Sequence, residues 1–306
     1  QIEERSGDWY LLAKDGRDLA VQKKGSPFME NVHFPMAERE FESDDFDDLA
    51  EQFNYSMWTG VATPSGHLAL DDKGVHELAA GARKLRESTD RAIIGLFSGN
   101  MFEIPQYLFR MDNYFTYMGL YPEAVIRLSE KLFELHMNNL EKWLTAVGPY
   151  IDVIFFGDDF GTQAGPFMSN AMFRQYYKPY QQKLWRRTKE LADVKIMLHS
   201  CGGIEPLLDD LIDAGLEAVN PVQISCNGMD PKHLKEKYGS RICFWGGGCD
   251  TRDILPLQTP EEVTAHVRKQ VEIMQQGSGF VFQQVHNIMA DIQPENIMAL
   301  FKAVNE

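Results

Sequence analysis

The chain has few cysteines, no long hydrophobic run and a deficit of positive charge. Four cysteines among 306 residues are too few for a disulfide-stabilised scaffold. No apolar run reaches the ~18 residues that a membrane-spanning helix needs. Lysine and arginine number 30 against 45 acidic residues, which gives a net charge of −15. Such a surface repels phosphate backbones and anionic lipids, so we expect neither nucleic-acid nor membrane binding.

The rest of the composition is that of a globular protein. Hydrophobic residues make up 44% and charged residues 25%, which excludes disordered and fibrous classes. A chain of this length suits one large domain or two small ones, and it would also fill one α/β barrel. Fourteen methionines, few cysteines and no secretory segment predict a reducing cytoplasm.

The first 75 residues show no regular alternation of elements. Residues 9–22 read as a hairpin with its turn at Asp15 and Gly16. An acidic run follows at residues 38–48, and residues 63–66 read as a loop. We predict that residues 1–75 form an irregular amino-terminal segment packed on a barrel domain of residues 76–306.

Beyond that segment, apolar strand-like runs alternate with helical patterns. Strands are predicted at residues 92–97, 151–156, 194–198, 217–222, 242–245 and 279–285. Helices are predicted at residues 75–87, 122–147, 170–191, 205–214, 231–238, 260–275 and 294–304. Repeated strand–helix units predict a parallel sheet with right-handed crossovers.

Polar clusters follow the predicted strands on one side of the alternation. In a (βα)₈ barrel all strands end on one rim, and active sites lie there. A doubly wound sheet shares this feature, but no glycine-rich dinucleotide fingerprint follows the first strands. We therefore favour an α/β fold of the (βα)₈ TIM-barrel type. Its strand ends, at residues 98, 157, 199, 223, 246 and 286, should share one rim.

One strand end offers metal-ligating side chains. His199 and Cys201 supply an imidazole and a thiol two residues apart, a pair that suits zinc. A purely structural role for the pair stays an alternative. Donors at the other strand ends are His286, Cys249, Asp158 and Asp159. Three protein ligands and one open position would indicate a catalytic metal site.

Other polar residues at the strand ends are candidates to contact a substrate. Asp158 and Asp159 are adjacent, so they face opposite ways and at most one is expected in the cavity, with Asp159 favoured. Loop or helix capping is the alternative for both. The amides expected to line the pocket are Gln163, Asn220, Gln223 and Gln284. Strand alternation predicts that Gln284 shares a face with His286.

The order of these motifs resembles the uroporphyrinogen decarboxylase superfamily. The matching segments are residues 157–163, 199–203, 220–223, 247–251, 255–256 and 286–296, and the likeness covers about residues 80–306. The resemblance implies a (βα)₈ barrel. It also implies that the first two barrel strands precede Gln1 or are replaced by the irregular opening.

The resemblance implies two alternative chemistries. Decarboxylases of the superfamily use no metal and hold a tetrapyrrole with an aspartate and with arginines near the amino terminus. The methylcobalamin:coenzyme M type methyltransferases bind zinc through a His-x-Cys pair and a later cysteine, and the zinc-held thiolate attacks a cobalt-bound methyl group. His199 and Cys201 match the methyltransferase pattern. The later cysteine is replaced by His286, and decarboxylases also carry a histidine near that place.

Our main hypothesis is a zinc-dependent methyltransferase that moves a methyl group between a small-molecule donor or acceptor and a partner corrinoid (cobalamin) protein. Zinc would be held by His199, Cys201 and His286, with Cys249 or one of the aspartates as a reserve ligand. Asp159 is expected to act in catalysis with the two histidines. The alternative is a tetrapyrrole decarboxylase in which Asp158 or Asp159 holds pyrrole nitrogens and His286 a carboxylate. A third hypothesis is a corrinoid or tetrapyrrole carrier without catalysis.

Overall fold

The computed structural model describes residues 1–58 and 70–305, so the loop predicted at residues 63–66 lies outside the described residues. The chain forms two compact units. One consists of Gln1–Gly157 and Gln175–Val194, and the other of Asp158–Arg174 and Lys195–Glu306. The boundary predicted at residue 75 stays a prediction.

The first unit opens with a four-stranded antiparallel sheet in the order β1-β2-β3-β4. Its strands are β1 (Ile2–Arg5), β2 (Asp8–Leu12), β3 (Asp18–Gln22) and β4 (Glu30–Asn31). The predicted hairpin is the β2–β3 pair, and Gly16 in its turn has a φ of +87°. That left-handed conformation favours glycine. Leu11, Leu19 and Ala20 belong to one buried apolar cluster.

Helices and a pair of parallel strands make up the rest of this unit. The elements are α1 (Leu49–Phe53), α2 (Asp72–Ser88), β5 (Ile94–Ser98), α3 (Glu103–Phe109), α4 (Met111–Leu120), α5 (Pro122–Val147) and β6 (Val153–Gly157). The chain passes from the second unit back to the first within α6 (Asn170–Tyr176). Helix α7 (Lys178–Leu191) is the last element of the first unit. Strands β5 and β6 pair in parallel, as predicted.

Helix α5 has the predicted bounds, with Pro122 in its first turn and its leucine stripe buried. On the same helix, His136 is buried, and its Nε2 lies 3.2 Å from the backbone oxygen of Asn100. Burial lowers the pKa of His136 to about 4, and the hydrogen bond to Asn100 opposes this shift. His136 is therefore neutral near pH 7.

One helical prediction for this part of the chain needs correction, and two helices were missed. Residues 170–191 form α6 and α7 rather than one helix, because Pro179 lacks an N–H and its ring would clash with the turn before it. Helices α3 and α4 were not predicted. They meet at Arg110, whose φ of +70° ends one helix before the next begins.

The second unit contains a parallel sheet in the order β12-β11-β10-β9. Its strands are β9 (Lys195–His199), β10 (Ala218–Asn220), β11 (Cys243–Trp245) and β12 (Phe280–Val281), preceded by the small hairpin of β7 (Gly161–Thr162) and β8 (Gly165–Pro166). Its helices are α8 (Leu208–Ala214), α9 (Pro231–Tyr238), α10 (Pro260–Met274) and α11 (Pro294–Asn305). Because the four strands are parallel, their carboxyl ends lie at one edge of this sheet.

The last strand is shorter than the predicted 279–285. Residues after Val281 bond instead to the glycine-rich segment that follows β11, where Gly248 N donates to Gln283 O at 2.9 Å and Val285 N donates to Cys249 O at 2.8 Å. These bonds do not form a regular ladder, so strand alternation gives no basis for placing Gln284 on the face of His286. Within residues 1–58 and 70–305, no helix is both long and apolar enough to cross a membrane.

Candidate metal centre

Three metal-ligating side chains meet at the edge where the parallel strands of the second unit end. His199 is the last residue of β9, Cys201 follows two residues later, and His286 follows β12. One ligand atom from each lies within 4.8 Å of the others. The Sγ atom of Cys201 is 3.4 Å from Nε2 of His199, and the two imidazole centroids are 6.1 Å apart.

This donor set suits zinc. A tetrahedral zinc ion with ordinary bond lengths holds its nitrogen and sulfur donors roughly 3.4–3.6 Å apart. The pair of His199 and Cys201 already has that separation. The third donor must approach the other two by no more than roughly 1.5 Å, since all three ligand atoms lie within 4.8 Å of one another. Two imidazoles and one thiol are ligands that zinc prefers, and three of them leave a fourth position open.

The His286 ring needs one local change to bind a metal through Nε2. Its Nδ1 now accepts a hydrogen bond of 2.8 Å from the backbone N–H of Asn287. Coordination through Nε2 requires Nδ1 to carry the ring proton, so that contact has to open. Burial lowers the pKa of His286, the nearby His199 ring lowers it further, and Asp159 opposes both. The lowered pKa favours the neutral imidazole, which is the form that binds metals.

Close backbone packing holds the Cys201 loop in place. Gly161 on β7 donates its N–H to the backbone oxygen of Cys201 at 3.1 Å, and a Cβ at Gly161 would lie 2.6 Å from that oxygen. Gly202 has a φ of +89°, and a Cβ there would overlap the backbone of Gly161. The β7–β8 hairpin can therefore approach the loop only because both positions are glycine.

The two aspartates that follow β6 have different environments. Asp159 Oδ1 accepts the backbone N–H of Cys201 at 2.8 Å and lies 3.8 Å from Nε2 of His199. Its side chain is partly exposed. Asp158 is buried, and its backbone N–H donates to the backbone oxygen of His199 at 2.9 Å. The carboxylate of Asp159 is thus held beside the donor group.

The four amide side chains predicted to line the pocket make different contacts. Asn220 Oδ1 lies 2.9 Å from Nδ1 of His199. Gln223 accepts the backbone N–H of Gly202 through Oε1. Gln163 Oε1 accepts from Arg252 Nη1 at 3.1 Å and from Cys226 Sγ at 3.3 Å. Gln284 is partly buried.

Gln283 was not predicted as a site residue, although its side chain is hydrogen-bonded to Asn220. Its Oε1 accepts from Nδ2 of Asn220 at 3.0 Å. A regular strand would have pointed Gln283 away from the face of His286, which is why the sequence favoured Gln284. No signal in the sequence indicates that the strand ends at Val281.

Cys249, the predicted reserve ligand, lies in an apolar environment. It is fully buried in an apolar cluster with Leu255 and with side chains of α10 and α11, among them Val263 and Val267. Its thiol donates to the backbone oxygen of Asp250 at 3.7 Å. Burial, assisted by Asp250, raises the thiol pKa to about 12, which keeps it protonated. The three-donor group found among residues 1–58 and 70–305 does not include Cys249.

The chain is similar to proteins of one family. The uroporphyrinogen decarboxylase (URO-D) family model matches residues 64–306. A uroporphyrinogen decarboxylase from Methylococcus capsulatus is 24% identical over 259 residues, which cover 81% of this chain and 67% of that protein. Another uroporphyrinogen decarboxylase, from Chlorobium luteolum, is 27% identical over 143 residues, which cover 45% of this chain and 38% of that protein.

A solved structure is similar as well. A methyltransferase from Methanosarcina mazei superposes with a TM-score of 0.62 at 19% identity, covering 90% of this chain and 72% of that chain. At this identity the likeness shows the fold, and it agrees with the α/β barrel-type fold predicted from the sequence. The family model spans most of the chain, and its match contains every strand that surrounds the donor group. The chain therefore belongs to the uroporphyrinogen decarboxylase family of enzymes.

Proposed function

We propose that the protein is a zinc-dependent methyltransferase that moves a methyl group between a small molecule and a corrinoid carried by a partner protein. The observation that carries this proposal is the convergence of His199, Cys201 and His286 within 4.8 Å. The fold shared with a solved methyltransferase supports it. A tetrapyrrole decarboxylase that works without a metal would not need a thiol beside two imidazoles.

The three side chains would hold zinc and leave one position for the substrate. A zinc ion bound there supplies Lewis acidity to the heteroatom of the small molecule. A ligand set with one thiolate and two neutral imidazoles would carry less negative charge than a set with two thiolates. This favours activation of an oxygen- or sulfur-linked group that needs strong polarisation.

In this proposal Asp159 would accept the proton of the small molecule. The backbone N–H of Cys201 holds its carboxylate near Nε2 of His199. When the small molecule is the methyl acceptor, its heteroatom forms the new bond to carbon and loses its proton to the Asp159 carboxylate. The bond between that carbon and the cobalt of the corrinoid would break, and its electron pair would stay with cobalt. Gln223, Gln163 and Gln284 would orient the rest of the substrate.

The test is methyl transfer from methylcobalamin. Loss of its absorbance would be followed in the presence of a simple thiol such as 2-mercaptoethanol, with zinc-loaded protein and with protein treated with a chelator. We expect turnover only in the zinc-loaded sample, and at least a hundredfold less with Cys201→Ala. Equal rates in the loaded and stripped samples would contradict the proposal.

Tetrapyrrole decarboxylation is the second candidate, favoured by the two curated relatives named uroporphyrinogen decarboxylase. In that reaction Asp158 or Asp159 would hold the pyrrole nitrogens and His286 a carboxylate. Release of carbon dioxide from uroporphyrinogen by chelator-treated protein would favour this candidate. Binding of a corrinoid or tetrapyrrole without turnover in either assay would favour a carrier.

A further inference from the structure

The strongest additional feature of the site is the contact between His199 and Asn220. The two residues are register partners at the carboxyl ends of the neighbouring parallel strands β9 and β10. Register partners project from the same side of a sheet, so their side chains meet. Nδ1 of His199 lies 2.9 Å from Oδ1 of Asn220, and Asn220 is only 6% exposed. The Asn220 side of this contact is therefore shielded from water.

The hydrogen bonds made by Nδ2 of Asn220 determine which amide atom faces the His199 imidazole. Nδ2 of Asn220 donates to the backbone oxygen of Trp245 at 2.9 Å and to Oε1 of Gln283 at 3.0 Å. A backbone carbonyl can only accept, so the amide nitrogen must point toward Trp245. The amide oxygen then faces His199.

The orientation of the amide fixes the tautomer of the imidazole. Oδ1 of Asn220 has no proton to give, so Nδ1 of His199 must donate. A neutral imidazole with its proton on Nδ1 has a lone pair on Nε2. Nε2 is the atom that lies 3.4 Å from Sγ of Cys201, inside the donor group. The polar contacts behind the site thus present the metal-binding nitrogen of His199 in its binding form.

We propose that Asn220 is a positioning residue that sets the His199 tautomer for metal binding, an inference that rests on the proposed function. Asn220 also connects His199 to the ends of two other elements, through Trp245 on β11 and Gln283 after β12. His286 follows Gln283 by three residues. One buried amide therefore joins the chain segments that carry both imidazoles. This role differs from the substrate contact predicted from the sequence, since both amide protons of Asn220 are engaged within the protein.

Zinc affinity provides the first test. The dissociation constant would be measured by competition with a chromophoric chelator for the wild-type protein, Asn220→Leu and Asn220→Asp. We expect Asn220→Leu to bind zinc roughly 10–100-fold more weakly, as is usual when such a supporting partner is lost. Asn220→Asp keeps an oxygen acceptor for Nδ1 and should retain most of the affinity. Asn227→Leu removes an exposed amide from the same unit and serves as the matched control.

The outcomes separate this inference from the proposed function. Failure of the wild-type protein to bind zinc would overturn the proposed function itself. Tight zinc binding by the wild type and equal binding by Asn220→Leu would leave the proposed function standing and overturn the role of Asn220.

The tautomer provides a second test that needs no metal and no variant of Asn220. Long-range proton–nitrogen correlation spectra of zinc-free protein with labelled histidine, at about pH 8, distinguish the two neutral tautomers. The His199 signals would be assigned by their loss in His199→Gln. We expect the proton on Nδ1. A predominant Nε2–H tautomer in the wild-type protein would overturn the inference, even if Asn220→Leu fails to fold.

Discussion

The Sγ atom of Cys201 lies 3.4 Å from Nε2 of His199, so a thiol and an imidazole nitrogen from one strand end contact each other. With the proton of His199 on Nδ1, the thiol donates to Nε2 and its proton occupies the space between the two ligand atoms. Zinc binding would displace that proton, so we expect metal uptake to release it to solvent.

Replacing the Cys201 thiol should abolish zinc binding without unfolding the protein. We expect Cys201→Ala to lose most bound zinc, because one of three donors is gone, while its far-ultraviolet circular dichroism stays that of the wild type. Cys243→Ala is the matched control, since Cys243 is a partly buried thiol at the start of β11. Elemental analysis of both variants provides the comparison, and zinc retained by Cys201→Ala would show that the thiol is not a ligand.

The glycine at position 161 should matter for the metal site as well as for the fold. In Gly161→Ala the new methyl group would meet the backbone oxygen of Cys201 at 2.6 Å, so the hairpin or the Cys201 loop must move. We expect weaker zinc binding and lower thermal stability. Gly81→Ala, in the interior of α2 with no atom near the added methyl group, should be neutral or more stable by about 0.5–1 kcal/mol. Equal effects of the two substitutions would argue against the close packing.

Cys249 should prove a packing residue. Its thiol is protonated and lies in the apolar cluster with Leu255 and Val263. Cys249→Ala is expected to keep the wild-type zinc content and to lose about 1 kcal/mol in the free energy of unfolding, because a small cavity replaces the sulfur. Loss of zinc in this variant, with the fold intact, would restore Cys249 as a ligand.

The buried imidazole of His136 predicts instability in mild acid. Its pKa is about 4 in the folded chain and 6.5 without burial, so between these values the unfolded state binds more protons. The free energy of unfolding is therefore unaffected by His136 above the pKa of this residue in the unfolded chain, and it falls as the pH drops toward 4. At about pH 4.5 the loss from this residue is roughly 2–3 kcal/mol. Urea unfolding of the wild type and His136→Gln at neutral and acidic pH should show a smaller acid loss in the variant, and an equal loss would contradict the assignment.

The sequence predicted most elements whose local signals were strong. Helix α5 and helix α9 have the predicted bounds, because each begins with a proline in its first turn and carries a regular apolar stripe. Helices α3 and α4 were missed, since Pro105 and an aromatic-rich sequence hide the helical period there. The break between α6 and α7 depends on Pro179, a signal that is present in the sequence but was not used when one helix was predicted over residues 170–191.

The position of residues at predicted strand ends indicated the metal donors but not the hydrogen bonds that surround them. The position named His199 and Cys201 and left the third donor open among His286, Cys249 and the two aspartates, and the family resemblance then favoured His286. The structure brings the ligand atoms of His199, Cys201 and His286 within 4.8 Å. The contacts of Asn220 with His199 and Gln283 depend on strand register and on the irregular path after Val281. Neither property follows from residue types along the chain, because both depend on bonds between distant segments.

The most direct measurement of the central claim is the zinc content of the protein purified without a histidine tag, by elemental analysis after equilibration with stoichiometric zinc. The account predicts one zinc ion per chain, and its loss in Cys201→Ala but not in Cys243→Ala. Wild-type protein that binds no zinc under these conditions would contradict the zinc-dependent mechanism and move the metal-free decarboxylase ahead of it.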